Sequence, residues 1–316
     1  PAAAQQGAPA TGEWRTYGGD LGGTKYSPLD QIDASNFADL EIAWRWQSSD
    51  AVMSLTTPDG GEWSAPSDVI FEALNQADPN RWRDGQPPYT NNLKATPLMA
   101  NGRMFINMPT SAGAAIDART GDTLWVYNPK TYEAGTTTMS ARWNQRGVAY
   151  WSDGEAERVY WGTGNPGPDY DGTVRMGDNL YSDSVVALDA DTGEMKWYFQ
   201  FTPHDIHDWD ATQIPILADT MFNGEMRKLM LFPNRNAFFY VLDRETGEFL
   251  LGKPYAKQTW AEGLDTNGRP ILVPGMEPTL EGTVVSPGIT GGSNWWSPTY
   301  SPRTDLLYVM AYDSET

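Results

Sequence analysis

Both histidines of the chain, His204 and His207, stand with Asp205, Asp208 and Asp210 in the stretch TPHDIHDWD, residues 202–210. Three kinds of chemistry fit so dense a run. Two imidazoles three residues apart could bind zinc from one face of a helix, but Pro203 argues for a loop, and no cysteine or further histidine exists to complete a shell. A carboxylate held near a cation could instead take a proton from a substrate hydroxyl. The plain alternative is a solvated polar turn, which a chain with 41 acidic residues can supply in many places.

Composition limits the scaffold that could position these groups. The chain has 316 residues, 40% of them hydrophobic, with 31 Gly, 23 Pro and 12% aromatic residues. That mixture suits many short strands joined by tight turns, and it predicts one large all-β domain in place of two smaller ones. Forty-one acidic against 22 basic residues give a formal charge of −19, which repels phosphate backbones and anionic lipid and excludes nucleic acid as a partner. No run approaches the 18 apolar residues of a membrane span. Cysteine is absent, so disulfides and thiolate metal sites are excluded.

A repeat supplies the architecture. AAIDARTGDTLW (114–125), VALDADTGEMKW (186–197) and YVLDRETGEFLL (240–251) each carry Asp-x-x-Thr-Gly between two apolar runs. Asp117, Asp189 and Asp243 would end a strand. Their carboxylates and the following Thr hydroxyls would bond the turn amides, while Gly121, Gly193 and Gly247 take the positive φ that closes a hairpin. Trp125 and Trp197 fall four residues after the glycine, and Leu251 takes that place in the third copy. Successive Asp residues lie 72 and 54 positions apart. Propeller blades run roughly 40–50 residues, so the spacing predicts a β-propeller of four-stranded blades with insertions and large flat side chains between adjacent sheets.

On these residues the chain resembles a known family. WRTYGGDLGGTKYSPLDQIDASNFADLEIAWRW (14–46) is similar to the amino-terminal signature of the quinoprotein alcohol dehydrogenases, and the repeats resemble that family's tryptophan-docking motifs. KATPLMANGRMF (94–105), NQRGVAYW (144–151), YWGTGNPGP (160–168), TPHDIHDWD, FPNRNAFFYVLDRETG (232–247) and GGSNWWSPTYSP (291–302) follow in family order. The resemblance implies an eight-bladed propeller carrying pyrroloquinoline quinone (PQQ) and Ca2+, an alcohol substrate, and an electron acceptor such as a c-type cytochrome or quinone. It implies that Asp210 is the catalytic base and a metal ligand, that Asn165 is a calcium ligand, and that Arg146, Arg235 and Asn294 contact the cofactor. The histidines would then be structural. Each assignment has its plain counterpart: a Gly/Pro loop at Asn165, surface arginines at 146 and 235, an acidic turn at 205–210.

The chain departs from that family in two places. Many members carry vicinal cysteines where Ser140-Ala141 stand here. A full-length member also continues through further blades after RGVAYWSDGEAERV (146–159), whereas this chain passes directly to Tyr160. The calcium-ligating glutamate and the tryptophan under PQQ belong to the skipped stretch and match no residue present. The expectation is an incomplete propeller of about four or five of eight blades over 14–316, at roughly 45 residues per blade. It is either a shortened natural relative or a fragment. Residues 1–13 resemble the remainder of a cleaved export signal plus a flexible lead-in, implying a periplasmic protein, or else a domain cut from a longer chain. The competing functions are a non-catalytic propeller scaffold, an inactive fragment of such an enzyme and, from the acidic balance alone, a calcium or sugar binder.

Overall fold

The computed structural model describes residues 11–20, 22–46, 48, 93–108, 111–129 and 146–315, and the backbone alone at 55–56 and 62–63. The lead-in at 1–10 and Ser140-Ala141 lie outside the described residues. The structure is all-β, and the only helical pieces among the described residues are 3-10 turns at Phe37–Asp39 and Gly172–Val174. Strands β1 (Leu55–Thr56) and β2 (Glu62–Trp63) pair with each other.

Three antiparallel four-stranded meanders follow. The first is β3 (Leu98–Ala100), β4 (Arg103–Asn107), β5 (Gly113–Asp117) and β6 (Thr123–Tyr127). The second is β7 (Ala149–Ser152), β8 (Glu157–Gly162), β9 (Ser184–Asp189) and β10 (Met195–Gln200). The third is β11 (Ile216–Phe222), β12 (Glu225–Pro233), β13 (Phe238–Asp243) and β14 (Phe249–Pro254). A hairpin, β15 (Ala261–Leu264) with β16 (Pro270–Leu272), precedes β17 (Thr299–Ser301) and β18 (Leu306–Tyr308), which begin a fourth sheet. Contacts link β3 to β7, β7 to β11 and β11 to β17, so the first strand of each sheet neighbours the first strand of the next. This is an incomplete β-propeller.

Its core is a series of sheet-on-sheet sandwiches. Leu98, Phe105, Val159, Trp161 and Val186 fill the space between the first and second sheets. Tyr160, Val185, Phe201, Phe232 and Tyr240 fill that between the second and third. Strand β8 shows why its sequence is continuously apolar: Tyr160 points to one neighbour, Val159 and Trp161 to the other, and all three are buried.

The repeated turn does what its residue types predict. Asp117 Oδ1 accepts from the amides of Arg119 (2.8 Å) and Thr120 (3.0 Å), and Asp189 and Asp243 do the same in their turns. Gly121, Gly193 and Gly247 have φ of +79°, +74° and +78°. They also have a second role. A Cβ on each would lie 2.7–2.8 Å from the indole of Trp44, Trp125 and Trp197 respectively, so the indole of each preceding segment rests on the turn of the next sheet. Trp44 and Trp125 then donate their indole N–H to the carbonyls of Ala118 and Ala190. Leu251 joins the apolar layer shared by the third sheet with Tyr300 and Leu307.

This topology decides which loops share a face. In each meander the segment entering the first strand and the loop leaving the second lie at one end, and the Asp-x-x-Thr-Gly turn lies at the other. Arg146, Asp210 and Asn294 precede β7, β11 and β17, while Asn165 and Arg235 follow β8 and β12, which puts all five at the same end.

Candidate active site

The stretch 202–210 is a loop, and its two histidines and three aspartates have separate tasks. Asp205 is wholly buried and ties the loop together, its Oδ1 accepting from the His207 amide (2.9 Å) and its Oδ2 from the Trp209 amide (2.7 Å). His207 stacks on Trp209 with ring centroids 4.3 Å apart, and burial lowers its pKa to about 4, so it is neutral. His204 Nδ1 bonds the Gly177 carbonyl at 2.8 Å. The two histidines are therefore structural, and among the described residues no group of three or more His, Asp or Glu side chains is arranged to hold a metal unaided.

Asp208 and Asp210 emerge from the knotted loop toward Arg235. Arg235 Nη1 donates to Asp210 Oδ2 at 2.5 Å, and its Nη2 lies 3.4 Å from Asp208 Oδ2. Arg235 is held from behind, its Nε donating to the Ile289 carbonyl at 3.2 Å and its Nη2 to the same oxygen. Burial works against its charge, but Asp210, Asp208, Asp205 and Asp183 outweigh burial and raise its pKa. The other carboxylate oxygen, Asp210 Oδ1, accepts the Asn165 amide at 2.9 Å. That approach needs the glycines of Gly162-Thr163-Gly164. A Cβ at Gly162 would sit 1.4 Å from the Ala211 carbonyl oxygen, and one at Gly164 would sit 2.9 Å from Asp210 Oδ1.

The structure thus brings Asp210, Asn165 and Arg235 into direct contact. The Asn165 side chain donates Nδ2 to Asp169 Oδ1 at 2.9 Å, and no hydrogen bond reaches its Oδ1 among the described residues. Arg146 is near enough for the Asp210 charge to oppose the lowering of its pKa by burial, but its guanidinium lies over the Trp295 ring, 4.4 Å from the centroid. Trp295 in turn stacks on Trp296 (5.2 Å), and both line a cavity of about 810 Å³ beside the first strands. Asn294 is not in the cluster. Its Nδ2 donates to the Thr290 carbonyl and its Oδ1 accepts the Trp295 amide, so it shapes the loop that presents Trp295.

Sequence reasoning assigned no role to Asp208 and did not single out Asp183. Burial and then the Asp210 charge push the Asp208 carboxyl well above the usual range, with Arg235 opposing. Asp183 is completely buried, and burial followed by the charge of Asp205 raises its pKa strongly, opposed only weakly by a contact with Ser182. Asp208 sits in the quoted motif, where its spacing from Asp210 was a signal. Asp183 gave none. With Asp169, these groups set five carboxylates against two guanidiniums, Arg235 and Arg175, an excess of negative charge that suits a bound cation. Two arginines and stacked indoles likewise suit a planar polyanion.

Comparison with known proteins identifies the family of this fold. The family model described as glucose/ethanol/alcohol dehydrogenase, beta-propeller domain, a PQQ family, matches residues 14–158 and 152–254. Its two matches overlap within β7–β8, next to the junction at Val159–Tyr160. A quinohemoprotein alcohol dehydrogenase of Comamonas testosteroni is 30% identical over 390 positions, covering 96% of this chain and 55% of the relative. A 1-butanol dehydrogenase (cytochrome c) of Thauera butanivorans is 30% identical over 387 positions, covering 96% and 56%. These alignments exceed the 316 residues of the chain, so the relatives carry residues without counterpart here. The chain spans about half the length of the curated relatives it matches. The crystal structure of the Comamonas enzyme superposes with a TM-score of 0.52 at 24% identity, over 98% of this chain and 59% of that one, and shares the fold. The chain belongs to the glucose/ethanol/alcohol dehydrogenase β-propeller family, the PQQ-dependent dehydrogenases.

Proposed function

We propose that this chain carries the acid–base half of a PQQ- and Ca2+-dependent alcohol oxidation. The observation that carries the reading is the two-sided grip on Asp210, by Arg235 on one oxygen and by the Asn165 amide on the other. A carboxylate so held keeps one orientation and can receive the hydroxyl proton of a bound alcohol. Asp208, whose pKa is raised by burial and then by the Asp210 charge, lies on the same guanidinium and is a second candidate acceptor for that proton. Asn165 Oδ1 and Asp210 would supply two of the six to eight oxygens that calcium takes. Arg235, Arg146 and the loop held by Asn294 would bind the cofactor's anionic edge. Bound PQQ would supply the two-electron acceptor for the hydrogen leaving the alcohol carbon.

The onward acceptor would be a cytochrome, as the name of the Thauera relative suggests, or a quinone, and the compartment the periplasm. Among the described residues no helix is long and apolar enough to cross a membrane. The test is reconstitution with PQQ and Ca2+, followed by dye-linked oxidation of ethanol and a PQQ fluorescence titration. Turnover lost in Asp210→Asn and weaker PQQ binding in Arg235→Ala support the reading. Absence of both PQQ binding and turnover in the unaltered chain overturns it and favours a non-catalytic propeller scaffold or an inactive fragment, a reading supported by the half-length match to its relatives.

A further inference from the structure

The inner strands of the propeller enclose a cavity whose far end takes no part in the chemistry above. The amino-terminal segment joins β3 through the Trp14–Met99 bridge, and Gly23 comes so near β17 that a Cβ on it would lie 3.6 Å from Thr299 Oγ1. Between this segment and strands β7, β11 and β17 lies the cavity of about 810 Å³ that Trp295 and Trp296 line. Trp295, under the Arg146 guanidinium, marks the end nearer the Asp210 cluster. The other end is walled by Tyr150, Trp151, Asp219 and Arg244. Arg244 directly follows Asp243, so it stands at the Asp-x-x-Thr-Gly end of the propeller, opposite Asp210.

Arg244 is only 4% exposed, yet its guanidinium is poorly supplied with acceptors. Nη2 meets Asp219 Oδ1 at 2.6 Å, Nε has no hydrogen-bond partner, and no other ion pair reaches the group among the described residues. A buried donor left unpaired is costly, and more so when it carries charge, so an acceptor entering here would recover a cost the fold already bears. The other cations of the wall differ. Arg15 is engaged by Glu13 and Asn101, and Lys25 is exposed. A guanidinium with spare donors suits a carboxylate, whose two oxygens match its planar fork. Asp219 on the same group repels a second negative charge and so limits the occupant to one. The guanidinium lies over Trp151, 5.3 Å from the ring centroid, and Tyr150 adjoins it in the wall, so the space beside the charge is bounded by flat aromatic faces. Its volume is that of an ordinary small-molecule site, roughly 300–1,000 Å³. We propose that the far end of this axial cavity binds an aromatic monocarboxylate, with the carboxylate on Arg244 and the ring against Trp151. The site goes beyond the alcohol-oxidation reading and does not depend on it.

The test is titration of the cofactor-free protein with benzoate, benzyl alcohol, acetate and inorganic phosphate, read by calorimetry and by saturation-transfer NMR. Benzoate should bind about tenfold or more tightly than benzyl alcohol, which lacks the charge, and than acetate, which lacks the ring, a difference of about 1.4 kcal/mol. Phosphate should not bind. Arg244→Met keeps the stem and removes the charge, and should weaken benzoate by about tenfold or more. Asp219→Asn alters a side chain that is 61% exposed, so the fold tolerates it, and by removing the competing carboxylate it should tighten benzoate binding. Arg146→Gln, at the opposite end of the cavity, should leave benzoate binding unchanged. Absence of benzoate binding, or equal binding of benzoate and benzyl alcohol, overturns the proposal without need of any variant. Weaker binding in Asp219→Asn overturns it too, as does a loss in Arg146→Gln that Arg244→Met does not share. A separate PQQ titration reports on the catalytic reading. Benzoate binding without PQQ binding sinks that reading and leaves this site standing, and PQQ binding without benzoate binding does the reverse.

Discussion

Arg235 and Asp210, from two different loops of the propeller face, meet at 2.5 Å with the guanidinium almost fully buried. The pair is the hub of a cluster rich in carboxylates, since Asp183, Asp205 and Asp208 also act on Arg235, with Arg175 as the second cation nearby. Removing Arg235 would leave Asp210 and Asp208 without the cation they share. Breaking a buried pair from one side costs about 3–5 kcal/mol, so Arg235→Ala should lower the thermal midpoint sharply. Lowering the pH should restore part of it by protonating the carboxylates. The double variant with Asp210→Asn should be more stable than Arg235→Ala alone, as a double-mutant cycle of unfolding free energies would read.

Asp208 makes a pH prediction for the proposed activity. Its folded pKa is raised, so a proton that an ordinary carboxyl loses near pH 4 is kept to higher pH. A base must be ionised to work. Turnover of the reconstituted protein should therefore climb with pH through and above the usual carboxylate range, and Asp208→Asn should both lower it and flatten the climb. A profile identical in the two proteins would remove Asp208 from the proton path.

Asp183 gives a stability prediction with a definite sign. Its folded pKa lies above its unfolded value, so the folded chain keeps the proton longer. The neutral form is tolerated at low pH, and stability is lost as pH rises through the folded pKa. Asp183→Asn keeps the shape and the left-handed backbone (φ +46°), which asparagine tolerates, and removes the charge. It should be near-neutral at pH 4 and stabilising by about 1–3 kcal/mol at pH 8. Paired melts at several pH values check this. A constant difference, or destabilisation at pH 8, refutes it.

The indole-on-glycine contacts make a structural prediction. Trp125→Ala opens a large void between the first and second sheets and should cost about 3–5 kcal/mol. Gly193→Ala attacks the same contact from the other side, adding a Cβ 2.8 Å from the ring at φ +74°. If both act through one contact, their costs in chemical denaturation will be less than additive.

The legible parts of this protein are those set by short-range chemistry. Asp-x-x-Thr-Gly could be read as a turn because its hydrogen bonds close within five residues, and all three copies form them. The blade spacing and the strand alternation followed, and with them the shared face that carries Asp210, Asn165 and Arg235. Trp44 was harder to see as a member of the indole series, because the turn it covers lies at Gly121, far along the chain. Asn294 was placed by likeness on the cofactor; in the structure its side chain bonds the Thr290 carbonyl and the Trp295 amide within its own loop.

By itself the sequence determined the all-β class, the repeating sheet and turn, and the family, since each depends on local hydrogen bonding and on the order of side chains along a strand. Only the tertiary structure decided that Asp208 shares Arg235 with Asp210 and that Asp183 is completely buried among the other carboxylates. Those outcomes depend on desolvation and on charges from loops far apart in the chain. Their energies exist only once the sheets have packed and water has been excluded.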